Sequence, residues 1–290
     1  MIIVELFGGL GNQMFQYAAG RDLAHRRGDI LVLDTLILES ARIPGTPRQF
    51  ALSRFNIKAV RMRTEEIVLM KVQNGVIYTI VDLGNRRFTR ITPPTNVRNV
   101  ALIGWWQSES HFKESAGLLR EDFTFTTVPS SPSVLENVQR IKETESVCVH
   151  VRRTDYLTGT GARMGFVGLP YYENALALMS GKIANAHFFV FSDDIEWCKA
   201  NLRFDAPLVF VDSDADNAES TYGDLYLMSS CKHYIMANSS FSWWAAWLGR
   251  HAHKIVIAPA AWYADERRHV RRRENAWSSV DLVPAEWIRV

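Results

Sequence analysis

The 290-residue chain contains no apolar run approaching the ~20 residues needed to span a bilayer. It opens directly on a strand-like segment, without a charged n-region or apolar h-region, so no signal peptide is expected. Cysteine is scarce: Cys148, Cys198 and Cys231 are odd in number, widely spaced and free of any Cys-x-x-Cys pair. That excludes a disulfide framework and predicts small buried hydrophobes in a reducing compartment. The eight histidines do not cluster with the cysteines at ligand spacing, so no zinc site is expected. His251 and His253 form a His-x-His pair without further recognisable ligands. A formal net charge of +2 is too small to imply nucleic acid. The chain also lacks the Gly-x-Gly-x-x-Gly and Gly-Lys-Ser/Thr signatures, which argues against a dinucleotide-binding dehydrogenase or a P-loop NTPase. It has no internal repeat and no low-complexity segment.

What is present suits a two-domain α/β protein: 47% hydrophobic residues for substantial cores and 22% charged residues for the surface. The most informative segment is His150-Val151-Arg152-Arg153-Thr154-Asp155-Tyr156. It follows the β-branched run Ser146-Val147-Cys148-Val149, and ligands of α/β folds sit at the carboxyl ends of strands. Adjacent guanidinium groups hold permanent charge and bind anions bidentately, a diphosphate above all. Alone, the segment serves equally as a surface Arg/Asp turn.

A second segment, Glu5-Leu6-Phe7-Gly8-Gly9-Leu10-Gly11-Asn12-Gln13, joins a strand over residues 1–6 to a helix over residues 12–27. Glycines permit a tight turn and close backbone approach, and a helix start favours anions. A third joins a helix near residues 223–231 to a strand at 233–237. It continues through Asn238-Ser239-Ser240-Phe241-Ser242 into an apolar helix at 242–248, whose serines and free N–H groups suit phosphate oxygens as well as a plain N-cap.

Together these segments resemble the bacterial α-1,2-fucosyltransferases of glycosyltransferase family 11. The shared motifs run from Gly8-Gly9-Leu10-Gly11-Asn12-Gln13-Met14-Phe15-Gln16-Tyr17-Ala18 through the double-arginine segment and Phe191-Ser192-Asp193-Asp194. They end with Met228-Ser229-Ser230-Cys231-Lys232-His233 and Asn238-Ser239-Ser240-Phe241-Ser242-Trp243-Trp244. The double-arginine motif is shared with α-1,6- and protein O-fucosyltransferases. The resemblance implies a GT-B fold, two Rossmann-like domains facing a ligand cleft, with the donor GDP-L-fucose and a β-galactoside acceptor. It also favours a bacterial cytoplasmic enzyme, since eukaryotic enzymes of this activity are usually anchored in the Golgi.

The pattern supports two α/β halves, divided here as residues 1–132 (acceptor side) and 133–290 (donor side). The first half reads as strands at 1–6, 30–34, 76–83 and 101–106, a helix at 64–73 and an irregular stretch at 43–56. Pro129-Ser130-Ser131-Pro132 marks the linker or a helix entry, followed by a helix at 134–142. The second half alternates five strands (147–151, 186–192, 208–212, 233–237, 255–258) with helices near 171–179, 196–200, 223–231 and 242–248, a five-stranded parallel unit.

The resemblance places the donor against Gly9, Gly11, Asn12, His150, Arg152, Arg153, Asp224, Ser239, Ser240 and Phe241. Arg152 is the principal diphosphate ligand, with Arg153 beside it or holding Asp155 and the loop. His150 sits near the nucleoside, and Asp224 accepts from guanine N1 and N2 or is merely an acidic residue at a helix start. Asp155 is the first candidate for the general base, with pairing to Arg153 as the alternative. The base position proposed in related α-1,6 enzymes aligns with Thr160, which cannot serve. Asp193 and Asp194 follow a strand end and could face the cleft, while Asp194 equally suits the cap of the helix containing Trp197. Trp105, Trp106 and His111 are candidate acceptor contacts, at least one tryptophan being core; Trp243, Trp244 and Trp247 read as core. Asp212-Ser213-Asp214 matches an Asp-x-Asp metal motif, but its acidic surroundings favour a solvated loop, and the arginines supply the cation, so no metal and no cofactor is expected. Arg267 to Arg273 form either a solvated face or a contact for anionic lipid or a lipid-linked acceptor diphosphate at the inner membrane surface.

Overall fold

The computed structural model describes residues 1–39, 48–62, 77–82, 90–212, 218–267 and 281–290. The chain divides into two compact units, Met1–Thr127 with residues 281–284, and residues 128–267 with Ala285–Val290. Each is built on one parallel sheet, so the expected α/β class with two parallel-sheet units is what the chain adopts.

The first sheet contains β1 (Ile2–Glu5), β2 (Leu31–Asp34), β3 (Val60–Met62), β4 (Ile77–Asp82) and β5 (Asn99–Gly104), ordered β3-β2-β1-β5-β4 with every neighbour parallel. The central strands are apolar without alternation because both faces are covered: Ile2 and Val4 with Val100 and Leu102 are buried on one face, and Ile3 with Ala101 on the other. Edge strand β4 instead leaves Tyr78 and Val81 exposed. The helix Leu10–Arg27 lays Met14, Phe15, Tyr17, Ala18 and Leu23 into this core. Its last turn carries His25, Arg26 and Arg27, which suit the negative end of a helix. The helix begins two residues before the expected start. Strand β5 lies two residues earlier than the expected 101–106, so Trp105 and Trp106 fall beyond it. The chain turns there because Trp106 takes φ 55° and donates its N–H to Asp82 Oδ2 at 2.7 Å. The expected helix at 64–73 lies outside the described residues.

In the second unit Ser131 caps the helix Pro132–Glu143, accepting from Val134 N at 3.4 Å with Pro132 in the first turn. The sheet holds β6 (Glu145–Val151), β7 (Ala186–Ser192), β8 (Leu208–Phe210), β9 (His233–Ile235), β10 (Val256–Ala258) and β11 (Ile288–Arg289). Their order is β11-β10-β9-β6-β7-β8, all parallel. Six strands replace the expected five; β11 has only two residues and no apolar run to announce it. Val147, Val149 and Val151 face one side of the sheet, against Tyr172, Leu176 and Met179 of the helix Leu169–Lys182. Cys148 and His150, at alternate positions, face the other.

This topology places the motifs. From β6 the chain runs outward through β7 and β8, then reverses past β6 through β9, β10 and β11. In such sheets ligands bind beyond the carboxyl ends of the strands where the order reverses. There β6 delivers Arg152 and Arg153, and β9 delivers Asn238 and Ser239. In the first sheet the order reverses between β1 and β5, which deliver the glycine turn and Trp105.

Candidate functional site

The double-arginine turn is organised by one carboxylate. Asp193, just past β7, accepts the backbone N–H groups of Arg153 at 2.9 Å and Thr154 at 3.1 Å, and the Thr154 hydroxyl. It also lies 3.5 Å from Arg152 Nε. Arg152 then grips Asp155 bidentately, Nε to Oδ1 at 2.9 Å and Nη2 to Oδ2 at 3.0 Å. Burial opposes the charge of Arg152, but Asp155 and Asp193 outweigh it and hold the guanidinium above its ordinary value. Arg153 does not hold Asp155, so that one of its two expected roles is corrected. Its Nη1 binds Asp194 Oδ2 at 2.5 Å and its guanidinium lies 4.6 Å from the Trp197 ring centroid. The physical reason is direction: Arg153 leaves the turn toward the helix Ile195–Asn201, which Asp194 caps as expected by accepting from Trp197 N. As a base, Asp155 has both oxygens engaged by Arg152 in this structure.

His150 is buried, its Nδ1 without a hydrogen-bond partner among the described residues and its ring 5.9 Å from that of Phe241. Burial first, then the neighbouring Arg152 charge, hold it down to about 4, so it is neutral at pH 7. Tyr156 donates to Asn238 O at 3.1 Å, and burial raises its phenol above the ordinary value. Thr160 lies in the turn Gly159–Arg163, which presses on the double-arginine segment: a Cβ on Gly161 would stand 2.1 Å from Asp155 O.

The third motif converges on the same strand ends. Ser239 caps the helix Ser240–Leu248, accepting from Phe241 N at 3.3 Å, and Ser242 donates back to Ala237 O at 3.2 Å. Trp243, Trp244 and Trp247 are core, as expected. Asn238, fully buried, spends its amide on the carbonyls of Met164, Gly165 and Trp262 at 2.8–3.1 Å. Asp224 lies in the middle of the helix Ala218–Ser230, so the reading of a helix-start aspartate is overturned: the helix begins at Ala218 and not near the expected residue 223. Its charge reaches Cys148, whose thiol is raised by burial, by Cys231 and then by Asp224. Asp224 is thus near enough to Cys148 to act on it electrostatically. The three cysteines are free and buried.

In the first unit, Gly8 takes φ +76°, and a Cβ there would stand 2.6 Å from Asn12 Nδ2, so the turn tolerates no side chain. Gly9 caps the helix Leu10–Arg27, its carbonyl accepting from Asn12 N and Gln13 N, and a Cβ on it would meet nothing within 4 Å. Gly11 is buried in the first helical turn, and Asn12 Oδ1 accepts from Gln107 Nε2 at 2.8 Å. Trp105 keeps partial exposure, edge-on to Phe7 at 4.7 Å. Trp106 and His111 are each 3% exposed and packed together at 5.3 Å, so neither presents a face to a sugar.

Several residues that build the site carried no role in the sequence reading. Asn238 is one, and Asp193, expected only as a residue that could face the cleft, proves to organise the turn. Gln13 and Gln16, fully buried, are the others. Gln13 bridges Gly8 O, Gln49 O and Ala51 N, while Gln16 accepts from Phe7 N and donates to Gly104 O. The available signal was polar side chains on the apolar side of a helix, which are kept only where their hydrogen bonds are met. Asp212 is exposed, 3.8 Å from Lys199 Nζ, and Asp214 lies outside the described residues. Among the described residues no group of three or more His, Cys, Asp or Glu could hold a metal ion, and no helix is long and apolar enough to cross a membrane. Arg267 ends the short helix Ala264–Arg267, and the rest of the arginine-rich segment lies outside the described residues.

Residues 1–281 match the glycosyl transferase family 11 model. The chain is 33% identical to an alpha-1,2-colitosyltransferase of Escherichia coli, covering 100% of this chain and 99% of that protein. It is 30% identical to the O-antigen biosynthesis glycosyltransferase WbnK of Escherichia coli, covering 91% and 95%. It is 26% identical to galactoside alpha-(1,2)-fucosyltransferase 2 of Rattus norvegicus, covering 86% and 67%. Among solved structures it is similar to NodZ alpha-1,6-fucosyltransferase soaked with GDP-fucose, at 16% identity and a TM-score of 0.48, covering 85% and 91%. The motifs at its strand ends and a family match over nearly its whole length lead to one assignment: the chain belongs to glycosyl transferase family 11.

Proposed function

We propose that this glycosyltransferase moves L-fucose, with inversion, from GDP-L-fucose to the 2-hydroxyl of a terminal β-galactoside in a bacterial surface glycan or its precursor. The observation that carries the reading is the arginine turn at the reversal point of the second sheet, built by Asp193 and beside the Ser239-capped helix start. In the reaction the acceptor oxygen attacks the anomeric carbon, the bond to the β-phosphate breaks, and GDP leaves. Arg152 stabilises the charge that develops on the diphosphate, with Arg153 and the start of the helix Ser240–Leu248 beside it. Asp224 recognises guanine. Gly9, Gly11 and Asn12 contribute a second helix start, and Trp105 a partly exposed indole for the acceptor. Fixed cations of the protein take the place of a metal, and the arginine-rich segment from residue 267 contacts anionic lipid or a lipid-linked acceptor at the inner face of the plasma membrane.

A second reading concerns the donor. The relative named alpha-1,2-colitosyltransferase is 33% identical over the full chain, which favours colitose as an alternative donor sugar. The test is incubation of the purified protein with GDP-fucose or GDP-colitose and lactose, followed by linkage analysis. An α-1,2-fucosyl product is expected. A product from GDP-colitose alone changes the sugar, another linkage changes the regiochemistry, and nucleotide binding without product from either donor removes the enzymatic reading.

A further inference from the structure

Both arginines of the turn are already paired in this structure. Asp155 takes Nε and Nη2 of Arg152, the side-on fork that two phosphate oxygens would use. Asp194 takes Nη1 of Arg153, and Asp193 stands 3.5 Å from Arg152 Nε. Two guanidinium groups therefore face three carboxylates, and His150 beside them is neutral. The cluster is not the bare cationic site that the sequence motif suggests. A diphosphate arriving here meets a net negative neighbourhood unless one carboxylate gives way.

The three carboxylates are unequally held. Asp193 is bound by two backbone N–H groups and a hydroxyl, with a side chain 16% exposed. Asp194 both caps a helix and binds Arg153, and is 25% exposed. The Asp155 carboxylate bonds only Arg152 among the described residues, is 42% exposed, and sits on a helix of four residues. It loses least by moving.

We propose that Asp155 is a displaceable anion, which holds the Arg152 fork in position and yields it to the phosphates of a nucleoside diphosphate. This deepens, and rests on, the reading of Arg152 as the diphosphate ligand. Asp155 then weakens nucleotide binding while keeping the guanidinium aimed, and its release frees a carboxylate beside the leaving diphosphate.

The experiment is titration calorimetry of GDP and of guanosine against the wild type, Asp155→Asn, Asp155→Ala and Asp155→Glu, each checked for folding by melting. Removing a half-exposed competing charge should tighten GDP by about threefold to tenfold in both Asn and Ala variants. Guanosine, which lacks phosphates, should bind all forms alike. Asp155→Glu keeps the competing charge and should bind GDP like the wild type. The Ala variant decides the matter if the Asn variant does not fold. Equal or weaker GDP binding in the folded neutral variants overturns the proposal and makes Asp155 a permanent brace. So does a change in guanosine affinity, or an Asp155→Glu variant as tight as Asp155→Asn. Failure of the wild type to bind GDP at all instead removes Arg152 as a diphosphate site, and the proposal falls with that reading.

Discussion

Asp193 Oδ1 accepts the backbone N–H of Arg153 at 2.9 Å, tying the end of β7 to the residues that leave β6. The same carboxylate receives Thr154, so a single side chain sets the direction in which both guanidinium groups depart. Hydrogen bonds to a charged acceptor are worth roughly 1.5–3 kcal/mol. Asp193→Ala is expected to lower kcat/KM about tenfold or more without loss of the fold. Asp193→Asn should be no better, because its amide sets a donor against a donor. In an Arg152→Lys background the Asp193 substitution should cost much less, since it acts through the arginine. Additive losses in that double variant would show that Asp193 works independently of Arg152.

Arg152→Ala is expected to abolish detectable transfer, and Arg152→Lys to retain only a small fraction. A preorganised charge stabiliser contributes about 3 kcal/mol or more to the transition state, and lysine restores charge without the planar fork. Steady-state kinetics of the folded variants measure this. Near-normal turnover by the alanine variant would remove Arg152 from its role.

Transfer should survive EDTA. Two arginines and helix-start N–H groups are proposed to carry the charge that a divalent ion would otherwise neutralise. Activity lost with chelator and restored by Mn²⁺ or Mg²⁺ would return Asp212 and Asp214 to consideration as a metal site.

Asp224 should decide the nucleobase. A carboxylate accepting from guanine N1 and N2 makes GDP bind well and ADP poorly, and Asp224→Ala should cost about tenfold or more in GDP affinity while sparing ADP. Asp224→Asn should recover little. Calorimetry with both nucleotides checks this; an unchanged GDP/ADP ratio means that Asp224 serves its helix alone and guanine is read elsewhere.

The neutral His150 predicts a pH dependence of stability. Burial and then Arg152 hold it at about 4 in the folded chain, against an ordinary value of 6.5. As pH falls through 6.5 the unfolded chain takes up this proton while the folded chain does not. The stability contributed by neutral His150 is therefore complete above 6.5 and is lost between 6.5 and about 4. By about pH 5 the loss amounts to roughly 2 kcal/mol. His150→Gln should flatten the decline in urea-unfolding stability between about pH 7.5 and about pH 5. An identical slope in the variant would assign the decline to other groups.

Much of this was legible in the residues because it is local. The apolar runs that become β1 and β6, the Ser131 and Ser239 caps, and the tryptophan core of the helix Ser240–Leu248 depend on neighbours a few positions away. So do the glycine turn before the helix Leu10–Arg27 and the arginines at a strand end. Periodicity and capping chemistry report such contacts directly. The motifs could also be assigned to the carboxyl ends of strands from the residues alone, which is why Arg152, Arg153, Asn238 and Ser239 lie around one sheet reversal.

Tertiary structure decided the pairings. Arg153 and Asp194 stand 41 positions apart and meet only because β6 and β7 are neighbours in register, so no local pattern could say which carboxylate takes which guanidinium. Trp106 and His111 look like sugar contacts until the positive φ of Trp106 turns the chain inward and buries both. β11 forms because an edge was available beside β10, not because two residues prefer a strand. The double-arginine motif establishes that positive charge stands at a strand end. Asp155 is local, but only packing across the sheet adds Asp193 and Asp194, and with them the charge balance around the two arginines reverses.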